Sequence, residues 1–162
     1  MNAKKHQIVV SVYLTKRGLG YCVFDTPKEL IDWGYCDIRF KKAKRTLDRI
    51  KVLIDLYHPE VLVLEDPSDE KFRKSDHIKK LVSVITDFAI EESVPVKHYS
   101  LESIEQLFPQ GNKHSRAKEI AQVLPELEAY LPPKRNIWKS EHQRMQIFDA
   151  VSLALTFFYL ET

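Results

Sequence analysis

IVVSVYLTKRGLGYCVFD, residues 8–25, reads as two β-strands folded back on one another. Residues 8–14 are apolar and β-branched, the pattern of a strand buried on both faces. Lys16-Arg17-Gly18 is a polar turn closed by glycine, and residues 19–25 return as a second apolar run. A hairpin presents whatever stands near its turn at one end of a sheet, and here that residue is Tyr13. Asp25-Thr26-Pro27 turns the chain again, and LIDWGYCDI (30–38) supplies a third strand. Short connections make these three an antiparallel meander.

Downstream, the period changes from two to about 3.6. Ala43, Leu47, Ile50, Ile54 and Tyr57 recur at helical spacing over 42–57, and Pro59 ends the helix. EVLVLE (60–65) is a continuously apolar strand, as expected at a sheet centre. A helix between two strands implies a parallel crossover. A long helix over 70–92 leads to the strand VPVKHY (94–99). Ser100 caps a short helix, SLESIEQLF. A basic loop around Gly111 precedes a helix over 113–124, and the Pro-rich stretch 125–139 reads as irregular. Ser140 and Gln143 match a capping box for a last helix over 141–160, which is apolar nearly all round after Ile147 and so buried. No repeat, low-complexity tract or linker interrupts the chain. Residues 1–162 read as one α/β domain: a mixed five-stranded sheet, meander plus parallel strands, flanked by helices.

Of the 162 residues, 44% are apolar and 30% charged, so a globular fold with a core is expected. No window approaches the ~18 apolar residues of a membrane span. MNAKKHQIVV has no signal-peptide run, which makes the cytoplasm the expected location. Cys22 and Cys36 sit in strand-like runs and read as reduced, buried thiols, with no His/Cys grid for zinc. The net charge of +2 hides an uneven distribution. Bases cluster in RFKKAKR (39–45), KFRK (71–74), KHSRAK (113–118) and PPKR (132–135); acids gather in LEDPSDE (64–70) and PELEAYL (125–131). Any one cluster also reads as a solvated face. Together they suit a protein that grips a phosphate backbone and presents carboxylates to it.

Three segments carry a resemblance to RuvC-type Holliday junction resolvases, a branch of the RNase H-like superfamily. The opening hairpin with Gly20-Tyr21 resembles that family's first strand, loop and second strand. PEVLVLED resembles the segment that delivers a glutamate at a strand end, here Glu65. FDAVSLALTFF resembles the C-terminal helix, with an aspartate before an Ala-rich run, here Asp149. PPKRNIWKSEHQRMQIFDA (132–150) also resembles a run found in a bacterial group of RuvC-like proteins. The resemblance implies an RNase H-like fold, nuclease chemistry with two Mg²⁺ or Mn²⁺ ions, DNA as partner, and a homodimer. Two such ions lie ~3.5–4 Å apart, one activating water and one stabilising the leaving oxygen.

The family pattern asks for four acidic ligands, and this sequence departs at two. Tyr13 stands where the first strand ends in aspartate, and Gln146 stands three residues before Asp149. A tyrosine of pKa ~10 is neutral and a poor magnesium ligand. Glu65 and Asp149 remain as catalytic and metal-ligating candidates, with Glu141 and His142 as replacements. His142 lies two helical turns before Asp149 on the same face, about 10 Å along the axis, too far to share an ion easily. Asp66 should point to the opposite face from Glu65, and Asp25 should lie at the far end of the sheet.

Phosphate contacts are expected from Arg17, Lys41, Lys42, Lys44, Arg45, Lys113, Arg116, Lys134 and Arg135, with His114 beside Lys113. Trp33 and Trp138 could stack on bases or pack in the core. The stripe Ile78, Leu81, Val82, Ile85, Phe88 and Ala89 suits a dimer face or core. Three readings stand at this point. One is a nucleic-acid-binding, RuvC-like protein with a degenerate metal site, on branched DNA and away from membranes. Another is an active Mg²⁺- or Mn²⁺-dependent endodeoxyribonuclease with a rebuilt acidic site. The third is a non-catalytic protein-interaction domain with no cofactor.

Overall fold

The hairpin forms where the sequence places it. In the computed structural model, which describes residues 7–69, 72, 74–109, 111–134 and 141–161, β1 (Val9–Thr15) and β2 (Gly18–Thr26) pair antiparallel from Val9 with Phe24 to Thr15 with Gly18. Gly18 sits at φ 148°, beyond the reach of most side chains. β3 (Glu29–Asp37) completes the meander, with irregular register between Val23 and Thr26 of β2. β4 (Val61–Glu65) lies parallel to β1, and β5 (Val96–Tyr99) parallel to β4, giving the order β3-β2-β1-β4-β5.

Strand alternation divides the core into two layers. Val10, Val12, Leu14, Leu62 and Leu64 face α1 (Lys42–Tyr57) and α2 (Asp76–Glu91). Val9, Tyr13, Val61 and Val63 face α3 (Leu101–Leu107), α4 (Lys113–Val123), a 3₁₀ turn (Pro125–Tyr130) and α5 (Met145–Glu161). The predicted mixed five-stranded sheet between helices is therefore present. The α2 stripe Ile78, Leu81, Val82, Ile85 and Ala89 is buried against the sheet, so it is core and not a free dimer face. Ala43 is exposed, and Thr46 takes its place on the buried face of α1. Cys22 and Cys36 are free thiols on opposite faces of the sheet. Among the described residues no helix is long and apolar enough to cross a membrane.

Two helix starts differ from the sequence reading, and both differences shape the site. α2 begins at Asp76 because Ser75 accepts a hydrogen bond from the Ile78 N–H, capping it six residues later than expected. Lys74 consequently lies in the preceding loop. α5 begins at Met145, with first-turn amides bonding three residues back to His142, Gln143 and Arg144 carbonyls. The Gln143 side chain donates to Asp37 at 2.9 Å instead of closing a capping box, and Ser140 lies outside the described residues.

Candidate functional site

The carboxyl ends of the parallel strands β1 and β4 converge where β1 changes from a parallel to an antiparallel neighbour. Crevices of this kind hold the ligands of open α/β sheets. Tyr13 and Glu65 each stand two residues beyond the last paired position, Ser11 with Val63, on the α5 face. The Ser11 hydroxyl donates to the Ala150 carbonyl at 2.7 Å and fastens α5 across β1. Gly20 lets the first turn of α5 rest directly on β2, because a Cβ there would overlap the Gln146 carbonyl. Asp149 and Gln146 are thereby held over Tyr13, and both are buried.

Two ammonium groups fill the space between these side chains. Lys74 Nζ donates to Glu65 Oε1 at 2.6 Å and to the Leu14 carbonyl at 2.7 Å, and lies 3.5 Å from the centre of the Tyr13 ring. Lys113, the first residue of α4, places its Nζ 3.3 Å from the Tyr13 hydroxyl and 3.2 Å from both Glu141 Oε1 and Asp149 Oδ2. Tyr13 thus offers its face to one cation and its oxygen to the other. The cleft encloses about 550 Å³ and reaches Lys16, Arg17 and His142 at its rim. A smaller hollow of about 310 Å³ continues it past Lys113 and Glu141 to His114 and Lys134.

Burial raises the Asp149 carboxyl above the ordinary carboxylate range, and Lys113 opposes that shift only in part. Burial works against the Lys113 ammonium, yet Asp149 and the neighbouring groups outweigh it, so its pKa is raised and it stays charged. Burial lowers Lys74 against the pull of Glu65. Burial, reinforced by Asp149, raises Tyr13, so its hydroxyl stays protonated. The sign for stability follows. Folded Asp149 holds its proton more tightly than the unfolded chain does, so its contribution is best below the unfolded value and falls as pH rises through the folded one. Asp149→Asn mimics the protonated acid and leaves Lys113 paired with Glu141. Its melting temperature is expected to exceed the parent's by a few degrees near pH 7, with the gain gone near pH 4; thermal unfolding at about both values checks this.

The structure brings Glu65, Asp149, Tyr13, Gln146 and Glu141 together. His142 is exposed at the rim, ahead of α5 and not on it, so the helical distance argument does not apply. Its Nδ1 accepts from the Arg144 amide. Asp66 faces a separate hollow with Thr86 and His98 on the α2 side, and Asp25 lies at the opposite end of β2. Of the expected phosphate contacts, Arg17, Lys41, Lys44, Arg45 and Lys134 are exposed. Lys42 instead ties α1 to the hairpin through the Thr15 and Lys16 carbonyls. Arg116 shares the buried face of α4 with Ala117, Ile120 and Ala121, which removes it from the surface. Lys113 is turned inward. Arg135 and Trp138 lie outside the described residues, and Trp33 packs edge-on against Tyr130. Lys74 was missed as a site residue because the helix was drawn through it; Ser75-Asp76 was the capping signal that could have freed it.

Structures of known fold match nearly the whole chain. Thermus thermophilus RuvC in complex with a Holliday junction substrate superposes with a TM-score of 0.72 at 19% identity, covering 96% of each chain. The fold is that of RuvC. The yeast mitochondrial Holliday junction resolvase Ydc2 shares this RuvC-like fold with a TM-score of 0.62 at 12% identity, over 97% of this chain and 80% of that one. Fowlpox virus resolvase, solved with Holliday junction DNA, gives 0.53 at 16%, over 94% and 99%. No protein-family model and no curated protein matches the sequence.

A RuvC-like fold raises the question of divalent metal, and the residues answer it poorly. Magnesium needs hard, anionic oxygens and keeps several waters. Here Glu65, Asp149 and Glu141 are bonded to lysines, while Tyr13 and Gln146 offer only neutral oxygens. Among the described residues no three His, Cys, Asp or Glu side chains converge as a metal centre requires. The donor set does not fit two divalent ions.

Proposed function

We propose that this protein binds nucleic acid, branched DNA in particular, through a RuvC-like cleft whose two-metal cleavage site is degenerate. The observation that carries the reading is Tyr13 at the end of β1, its hydroxyl bonded to the ammonium that also holds Asp149 and Glu141. The fold shared with RuvC and with a viral resolvase, both solved on Holliday junctions, supports a branched DNA ligand. Affinity would come from phosphate contacts. Lys16 and Arg17 line the rim of the cleft, and Lys42 ties the start of α1, with exposed Lys41, Lys44 and Arg45, to the same hairpin turn. Such contacts are insensitive to sequence and weaken steeply with salt.

One observation favours a second reading. Glu141 is drawn to within reach of Asp149 through Lys113, so three carboxylates surround the cleft and could form a rebuilt nuclease site. A gel decides between them: a labelled four-way DNA junction and a matched duplex at low salt with Mn²⁺, beside a Glu65→Gln/Asp149→Asn control. The expected result is a junction shifted and uncut by both proteins. Cleavage lost in the control would establish the rebuilt site, and absence of any shift would move the protein to an interaction role without nucleic acid.

A further inference from the structure

We propose that Lys74 and Lys113 are the resident cations of this cleft, standing in for divalent ions and leaving a site that takes a phosphodiester without metal. An ammonium has three donors and no acceptor. Lys74 spends its contacts on Leu14, Glu65 and the Tyr13 ring, and Lys113 on Tyr13, Glu141 and Asp149. The two come from different elements, the loop before α2 and the first turn of α4, yet meet across one aromatic side chain.

Tyr13 is what permits the pair. Two ammoniums so placed repel each other, and a neutral ring between them gives an electron-rich face to one and a hydroxyl oxygen to the other. The charges also balance: Glu65 and Asp149 match Lys74 and Lys113 one for one. A divalent ion seeking the same oxygens would have to expel a half-buried ammonium and strand its charge, which is costly. The carboxylate pair is therefore closed to metal by groups the chain itself supplies.

A second feature points to a ligand. Gln146 is 6% exposed, lines the cleft, and its Oε1 is buried with no hydrogen-bond partner among the described residues. Buried acceptors are seldom left so, and this one is free to take an N–H or O–H of a bound nucleotide. Lys16 and Arg17, exposed at the rim, add two cations and tip the cleft positive despite Glu141. A phosphodiester entering there is drawn by the Lys16 and Arg17 cations at the rim and by the positive charge of the two ammoniums within.

This inference deepens the nucleic-acid reading and rests on it only for the ligand. The test uses Mn²⁺ alone, followed by electron paramagnetic resonance, on the full chain, the Glu65→Gln/Asp149→Asn control, Lys74→Met and Lys74→Met/Lys113→Met, each first shown by melting to be folded. The parent is expected to take up Mn²⁺ no better than the control, and Lys74→Met to bind it roughly tenfold more tightly. Uptake by the parent that the control loses, or a folded Lys74→Met that gains nothing, overturns the proposal. A four-way junction is then titrated with the parent in EDTA. A shift as strong as in Mn²⁺ supports metal-free binding, and a shift that needs Mn²⁺ overturns it. No shift in either buffer refutes the nucleic-acid reading, and the Mn²⁺ uptake still judges the lysines.

Discussion

Gly20→Ala is expected to lower the melting temperature by about 10 °C. Gly20 pairs with Tyr13 on one side and Tyr35 on the other, in the centre of the meander. A methyl group there would overlap the backbone carbonyl of Gln146 and lie 2.7 Å from its Cβ. Neither partner can move cheaply. The strand is paired on both edges, α5 is buried along most of its length, and the Ser11–Ala150 bond fixes its height over β1. Overpacking of this kind costs about 3 kcal/mol. A chain of this size loses roughly 2–4 °C per kcal/mol. Calorimetry checks it, and a drop below about 2 °C would mean that α5 does not lie on the strand so closely.

The Gly-Tyr pair that contributed to the RuvC resemblance thus has a physical reason, but a sequence shows only the glycine and not the helix that arrives 126 positions later. Much of the fold was legible because its signals are local. The hairpin, the meander and the crossover follow from runs of alternating or continuous apolar residues cut by Gly, Pro and Asp. The two misplaced helix starts share a cause. Residues 70–75 and 141–144 are polar enough to extend either helix, and local pattern cannot tell a frayed first turn from a loop held by distant partners. Ser75 caps α2 late, and Gln143 reaches across to Asp37. Both errors fell where a side chain needed loop freedom to enter the cleft: Lys74 in one case and Glu141 in the other.

The candidate site was legible in its acids and not in its cations. Glu65 and Asp149 stand at a strand end and a helix start, places that position and periodicity can mark. Lys113 and Arg116 were read outward because bases usually face water, and Lys113 reaches Tyr13 across 100 residues of sequence. One signal was available. Glu65 ends an apolar strand and Asp149 stands near the start of an apolar helix, and carboxylates so placed require compensating charge from somewhere. Asking which lysines could supply it would have directed attention to the loops before α2 and α4.

Lys113→Met is the second large effect, expected to cost about 2 kcal/mol and some 6 °C in melting temperature. Asp149 has only 5% of its side chain exposed and would lose the cation that offsets the burial of its charge. Breaking a fully buried pair costs ~3–5 kcal/mol, but the lysine side chain is 37% exposed, and water screens part of the interaction. The loss is not symmetric. Asp149→Asn leaves Lys113 bonded to Glu141, so it removes a costly charge without stranding another. Lys113→Met/Asp149→Leu removes both charges and is expected to recover most of the single variant's loss, because an apolar pair of similar volume does as well in a buried place. Urea unfolding of the parent, Lys113→Met, Asp149→Leu and the double variant gives the coupling directly. If Lys113→Met unfolds within about 0.5 kcal/mol of the parent, the ammonium spends its time in solvent and the cleft is open to other cations. If the double variant alone is restored, the pair exists, and its presence owes nothing to stability. An ion pair held over the ends of β1 and β4 without benefit to stability would support the proposed binding role of the cleft.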